Sequence, residues 1–146
     1  MQAIKIRTMG MQDHAELLFL FEKTPGIRVR DADDYEPMSR YLARNPGMSF
    51  VAEYQDQLVG CCMAGHDGRR GYLQHLVVSP SVQGQGVARR LVRACIEALA
   101  QEDILKTHLF VLTDHQEGRA FWSHLGWEGR SDFGVYSWIE GDHPGV

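Results

Sequence analysis

"VVSPSVQGQGVARRLV", residues 77–92, decides how this chain is read. An apolar run stops at Pro80, a polar loop holding Gly84 and Gly86 follows, and a helical pattern begins near Gly86. From there to about Gln101, Ala88, Leu91, Val92, Cys95, Ala98 and Leu99 form one apolar stripe. Arg89, Arg90, Arg93 and Glu97 fall off it. A junction of strand and helix is a natural anion site, because the first helical N–H groups lack internal partners and the helix dipole adds positive character. Glycine lets a phosphate approach the backbone and tolerates positive φ. The two glycines alone fit a phosphate cradle, or a tight turn that needs glycine only for its geometry.

Outward from this junction the pattern is regular. "AIKIRTM", residues 3–9, alternates and reads as a strand. Residues 11–23 place Leu17, Leu18, Leu20 and Phe21 at helical spacing with Asp13 as the cap, and "TPGI" ends that helix. "RDADDYEPMSRYLARN", residues 30–45, predicts a second helix through Met38, Tyr41 and Leu42, stopped by Asn45-Pro46-Gly47. "SFVAEY" and "LVGCCMAGH" read as strands joined by a hairpin at "QDQ". "DGRRG" turns into the strand "YLQHLVVS", so residues 48–79 form an antiparallel meander. "THLFVLT" is a strand without strict alternation, as expected when both faces are covered. "HQEGRAFWSHLGW" is a helix stopped by Gly126, and "GVYSWIE" is a final strand. The order is β-α-α-β-β-β-α-β-α-β, an α/β (α+β) fold with helices against a mixed sheet. One domain over residues 1–146 is expected, with 140–146 a loose tail.

Totals narrow the function classes. At 146 residues, 44% hydrophobic and 23% charged, the chain suits one globular domain. No apolar run approaches a membrane span, and the N-terminus does not read as a signal peptide. A net charge of -4 argues against a nucleic-acid partner. Cys61, Cys62 and Cys95 lie in apolar patterns without a C-x-x-C pair, which predicts buried free thiols in a reducing cytoplasm and no metal.

Two phosphate motifs fail on single residues. A dinucleotide fingerprint needs glycine or alanine where Arg89 stands, and a Walker loop needs a Gly-Lys pair the chain lacks. What fits is Gln83-x-x-Gly86-x-Ala88, which resembles the Gln/Arg-x-x-Gly-x-Gly/Ala signature of the GNAT superfamily of N-acetyltransferases. "AFWSHLGW" resembles that family's late helix and strand, and the element order matches over about residues 3–139. "MAGHDGRRGYLQHLVVSP" further resembles a branch of small bacterial members.

The resemblance implies a GNAT-like, mostly antiparallel central sheet and an enzyme. It would move the acetyl group of acetyl-CoA to a primary amine of a small molecule or peptide, by direct transfer in a ternary complex. No metal is implied, and a homodimer is compatible with it. The rival from another class is a non-catalytic module of the same fold that binds acyl-CoA or a partner protein. The loop amides of Gln83, Gly84, Gln85, Gly86, Val87 and Ala88 would bind the pyrophosphate, with Arg89 reaching a nucleotide phosphate or simply solvated. In this frame Gln83, Gly86 and Ala88 are the informative positions and Gly84 is only permissive. The family's central strand carries a bulge and splays from its neighbour, and pantetheine adds to its edge. Leu76, Val77 and Val78 would make those contacts, with an amide near Leu76 facing the thioester oxygen. Such a donor is worth about 3 kcal/mol in other enzymes.

A lysine-like amine has a pKa of about 10.4, so a base or a desolvating site must free it of a proton. The positions where relatives often carry that base are Tyr72 and Gln74 here. His75 is nearer the motif, but strand alternation turns it to the other face, where it reads as structural. Water, Glu53, His66 and the acidic segment 31–36 stay open as sources of the base. Trp122 falls where the family often has a proton-donating tyrosine; indole is no useful acid, and a thiolate can leave unaided. His115 falls where an asparagine often touches the cofactor. On the acceptor side, Asp31, Asp33, Asp34 and Glu36 would draw a cation, or merely favour a helix start. Arg28, Arg30, Arg69 and Arg70 would suit a carboxylate.

Overall fold

The structure, a computed structural model, describes residues 3–146. It divides into two compact units, one running through Leu109 and the other Phe110–Val146. The first unit holds the sheet. β1 (Lys5–Thr8), β2 (Phe50–Tyr54), β3 (Gln57–His66), β4 (Gly71–Val78) and β5 (Thr107–His108) lie side by side in chain order. The first three junctions are antiparallel and the last is parallel. α1 (His14–Lys23) and α2 (Tyr35–Arg44) precede β2, and α3 (Val87–Gln101) crosses from β4 to β5, as a parallel pair requires.

β3 is central, and every residue from Leu58 to Gly65 is buried. Its unbroken apolar run reflects cover on both faces. Leu17, Leu20 and Phe21 of α1 and Met38 of α2 pack with Val51, Cys61, Met63 and Val77. Leu91, Cys95 and Leu99 of α3 are fully buried, and the Cys95 thiol points at the Cys62 carbonyl 3.6 Å away. The expected hairpin forms through Gln55 and Asp56, both left-handed at φ 53 and 60, the turn that matches strand twist. The next turn closes on Asp67, whose Oδ1 accepts the Arg69 and Arg70 amides at 2.8 Å each.

Asp13 does not cap α1 as its position suggests. Its carboxylate accepts the Gly10 amide at 2.9 Å, closing a short 3-10 turn at Met11–Asp13. It also takes two bonds from the Arg7 guanidinium, at 2.7 and 2.9 Å, and Arg7 reaches Glu53 on β2 as well. One arginine thus ties β1, the start of α1 and β2 together.

In the second unit, α4 (Gln116–His124) forms as expected and Gly126 stops it at φ +93. Trp122 packs edge-on between Phe121 and Trp127, with ring centroids 5.1 and 5.0 Å apart. The strand expected over 107–113 is paired only at Thr107–His108, and residues 134–140 form none. Strand propensity becomes a strand only where a ladder partner takes up the backbone groups, and these segments have none among the described residues.

Candidate functional site

β4 breaks the regular ladder at two places. Cys61 pairs with Val77 and Met63 with Gln74, so His75 and Leu76 together oppose the single residue Cys62. This is a β-bulge, and His75 takes φ +48 to make it, a backbone conformation uncommon outside glycine. On its other side β4 pairs with β5 only at Gly71 and Tyr72. From Leu73 onward that edge has no ladder partner among the described residues. The Ser79 amide donates to the Val59 carbonyl at 2.7 Å. Alternation back from Ser79 through the in-register pairs Val78–Gly60 and Val77–Cys61 turns the backbone groups of Val78 to the free edge and those of Val77 toward β3.

Beyond Ser79, a 3-10 turn at Pro80–Val82 leads into the glycine loop. Gly84 and Gly86 both lie in the left-handed region, at φ +81 and +78, and Gly86 immediately precedes α3. Both are therefore required by the backbone, whereas the motif makes only Gly86 informative. Beyond the chain neighbours, no atom of the described residues lies within 4 Å of a Cβ placed at either, so the space beside each glycine is open. The amides from Gly84 to Arg89 donate to no backbone carbonyl among the described residues, no side chain caps α3, and its first turn has no acid. Gln83 donates instead to the Pro80 carbonyl at 3.4 Å. Unpaired amides, open space and the helix dipole together suit an anion there.

A cleft opens against the bulge. One cavity of about 420 Å³ lies between α2, the 3-10 turn Asp31–Asp33 and β4, with Gln74 and His75 both in its wall. A second, of about 570 Å³, continues past Tyr41, Arg44 and Gln74 to His66 and Tyr72. Both volumes suit a small ligand or side chain. The Tyr41 hydroxyl is buried where they meet and has no hydrogen-bond partner among the described residues; burial pushes its pKa above the ordinary phenol range. Arg30, Arg40 and Arg44 line the first cavity, and none is in an ion pair among the described residues.

His75 is the correction that matters most. Alternation assigns it the face opposite Gln74, but the extra residue of the bulge brings two successive side chains into one cavity. The His75 Nε2 lies 2.7 Å from the Oδ1 of Asp33, and the ring rests on Phe21 at 4.9 Å. Asp33 is itself held: its Oδ2 accepts the Arg30 amide at 2.9 Å, and its carbonyl is 2.9 Å from His14 Nε2. Its side chain is 5% exposed and that of His75 is 23% exposed. Of the acidic segment, Asp33 is thus buried and occupied, while Asp31, Asp34 and Glu36 are exposed. Two other open candidates are engaged elsewhere. Glu53 pairs with Arg7, and His66 lies 3.1 Å from Glu102 while its Nδ1 accepts the Gly68 amide.

The remaining expected residues fall as follows. Tyr72 is half-buried beside the His108 ring at 5.9 Å, and Gln74 is exposed in both cavity walls. Leu76 sits in the bulge, and Val77 is buried in the core. Val87 is buried, Ala88 half-buried and Arg89 exposed at the start of α3. His115 flanks the start of α4, and Trp122 lies in its aromatic stack, both within the second unit. Among the described residues no three His, Cys, Asp or Glu side chains converge on a metal position, and no helix is long and apolar enough to cross a membrane.

Comparison with known proteins gives the same outline. The profile of the acetyltransferase (GNAT) family matches residues 14–127. Acetyltransferase ECA0875 of Pectobacterium atrosepticum is 28% identical over 125 residues, covering 86% of this chain and 88% of that protein. The structure of PaiA N-acetyltransferase from Thermoplasma acidophilum in complex with coenzyme A superposes with a TM-score of 0.80 at 17% identity, over 91% of this chain and 94% of that one. The structure of AAC(6')-Iy with the bisubstrate analog CoA-S-monomethyl-acetylneamine gives 0.75 at 18% identity, over 94% and 99%.

Proposed function

The chain belongs to the acetyltransferase (GNAT) family, and we propose that it transfers the acetyl group of acetyl-CoA directly to a primary amine held in the cleft beside β4. One observation carries this: the bulge, the unpaired strand edge and the amide cradle follow one another along residues 73–89. A molecule with an extended, hydrogen-bonding arm and a pyrophosphate matches that sequence of features. In this reading the pyrophosphate sits on the amides from Gly84 to Ala88, with the exposed Arg89 nearby. The pantetheine arm runs along the unpaired edge of β4 from Leu76 to Val78. The Leu76 amide then faces the thioester oxygen, where it stabilises the developing negative charge.

The cleft chemistry bears on the acceptor. Three arginines line the first cavity, against one buried carboxylate already bonded to His75 and the Arg30 amide. The reading that follows is an amine that also carries a carboxylate or phosphate, recognised by Arg30, Arg40 and Arg44. The support for direct transfer is the bisubstrate analog bound to the structurally similar AAC(6')-Iy.

Calorimetry with acetyl-CoA and a thiol-release screen of amines, amino acids and peptides test the proposal together. Micromolar binding and amine-dependent CoA release are expected, fastest with anionic amines. Binding without turnover on any amine would leave the non-catalytic module. No binding at high micromolar concentration would end both.

A further inference from the structure

We propose that His75 is the general base of this site and that Asp33 is its positioning residue. The inference rests on the acetyl-transfer reading above and deepens it. Three observations meet at the imidazole. The bulge lifts its side chain out of the sheet's alternation and into the cleft wall next to Gln74, one residue from the proposed oxyanion donor Leu76. Its backbone is held at φ +48, a strained conformation that persists only where the surroundings enforce it and that clusters at functional sites. Its Nε2 is fixed at 2.7 Å by a carboxylate that is itself anchored through the Arg30 amide.

The hydrogen bond chooses the tautomer. A carboxylate only accepts, so Nε2 of the neutral ring carries the proton and Nδ1 carries the free lone pair. No group among the described residues bonds to Nδ1. The chemistry then balances. Nδ1 takes one proton from the acceptor's ammonium. The freed nitrogen attacks the thioester carbon, a C–N bond forms, and the carbonyl π pair moves onto oxygen. Collapse restores the carbonyl and breaks the C–S bond with both electrons going to sulfur. The second nitrogen proton neutralises the thiolate, and His75 returns its own proton to water. Asp33 stabilises the imidazolium while it exists.

The groups facing the ring include few competitors. Asp33, Arg30 and His14 approach from the turn and α1. Arg40, Tyr41 and Arg44 line the same cavity from α2, and the Cys61 thiol donates to the His75 carbonyl at 3.3 Å. Burial pushes the Tyr41 and Cys61 pKa values upward, so both stay neutral across the working range.

The test uses the full chain, acetyl-CoA and the alkylamine that gives the fastest wild-type thiol release. His75→Gln keeps a donor for Asp33, and a thermal melt and calorimetry with acetyl-CoA verify the fold and the donor site. The expected result is an unchanged acetyl-CoA affinity with kcat lowered by about 10²- to 10⁴-fold, the usual worth of a general base. Wild-type kcat/KM should reach a plateau once the imidazole is neutral. In the variant, log kcat/KM should instead rise with unit slope as pH increases, because only the free fraction of the amine reacts. Asp33→Asn should lower kcat, displace the acidic limb and leave KM for acetyl-CoA unchanged, which a merely structural loss would not do. A folded His75→Gln protein with turnover within threefold of wild type and the same pH profile would overturn the proposal alone. Wild-type protein that binds acetyl-CoA yet acetylates no amine would overturn it together with the transfer reading.

Discussion

Gly84 and Gly86 hold φ values of +81 and +78 in open space, so alanine at either meets no neighbour but must adopt a left-handed backbone. Gly84→Ala and Gly86→Ala should each lose about 1–2 kcal/mol in a urea melt. Gly86→Glu adds a carboxylate to the anion cradle, and the expected outcome is a folded protein without measurable CoA binding by calorimetry. Retained affinity in that folded variant would move the cradle elsewhere. Trp122 stacks against Phe121 and Trp127, and phenylalanine preserves an aromatic surface there. Trp122→Phe should therefore keep measurable turnover; complete loss with acetyl-CoA binding intact would give the indole a chemical role. The left-handed turn before α3 was legible because glycine identity reports backbone conformation directly. His75 was not, because period-two alternation holds only while strands stay in register, and one inserted residue reverses it.

At the scale of elements, the Arg7 cluster makes the clearest forecast. Burial alone would raise the Asp13 pKa, but the Arg7 hydrogen bonds, the Gly10 amide and the guanidinium charge outweigh it and hold it below the ordinary value. A carboxylate depressed in the folded state stabilises the fold above its unfolded pKa of about 3.9 and loses that contribution as pH falls through the folded value. Acid unfolding followed by circular dichroism should show Asp13→Asn less stable than wild type at neutral pH, with the gap narrowing below about pH 4. A constant gap across that range would detach Asp13 from the titration. The helices and the meander were readable from apolar period and turn residues. The partners of Asp13 were not: a side chain that could cap the following helix turned instead to an arginine on β1.

For the whole molecule, the buried thiols report global opening. Cys61, Cys62 and Cys95 are fully buried, and burial pushes the Cys61 pKa above the ordinary thiol range. A thiol reagent should leave the native chain unmodified and label all three on unfolding, so that assays of CoA release read only the released cofactor. Fast labelling of the native protein would show local opening around β3 or α3. The sequence by itself determined the element order through β4 and α3, the covered central strand and the glycine junction, since each follows from local spacing and backbone preference. Tertiary structure decided that the bulge turns His75 into the cleft and that Asp33 hydrogen-bonds it from a distant turn. It also decided that residues 134–140, for all their strand propensity, form no ladder. These outcomes depend on which segments meet across the sheet, a long-range choice that no local pattern encodes.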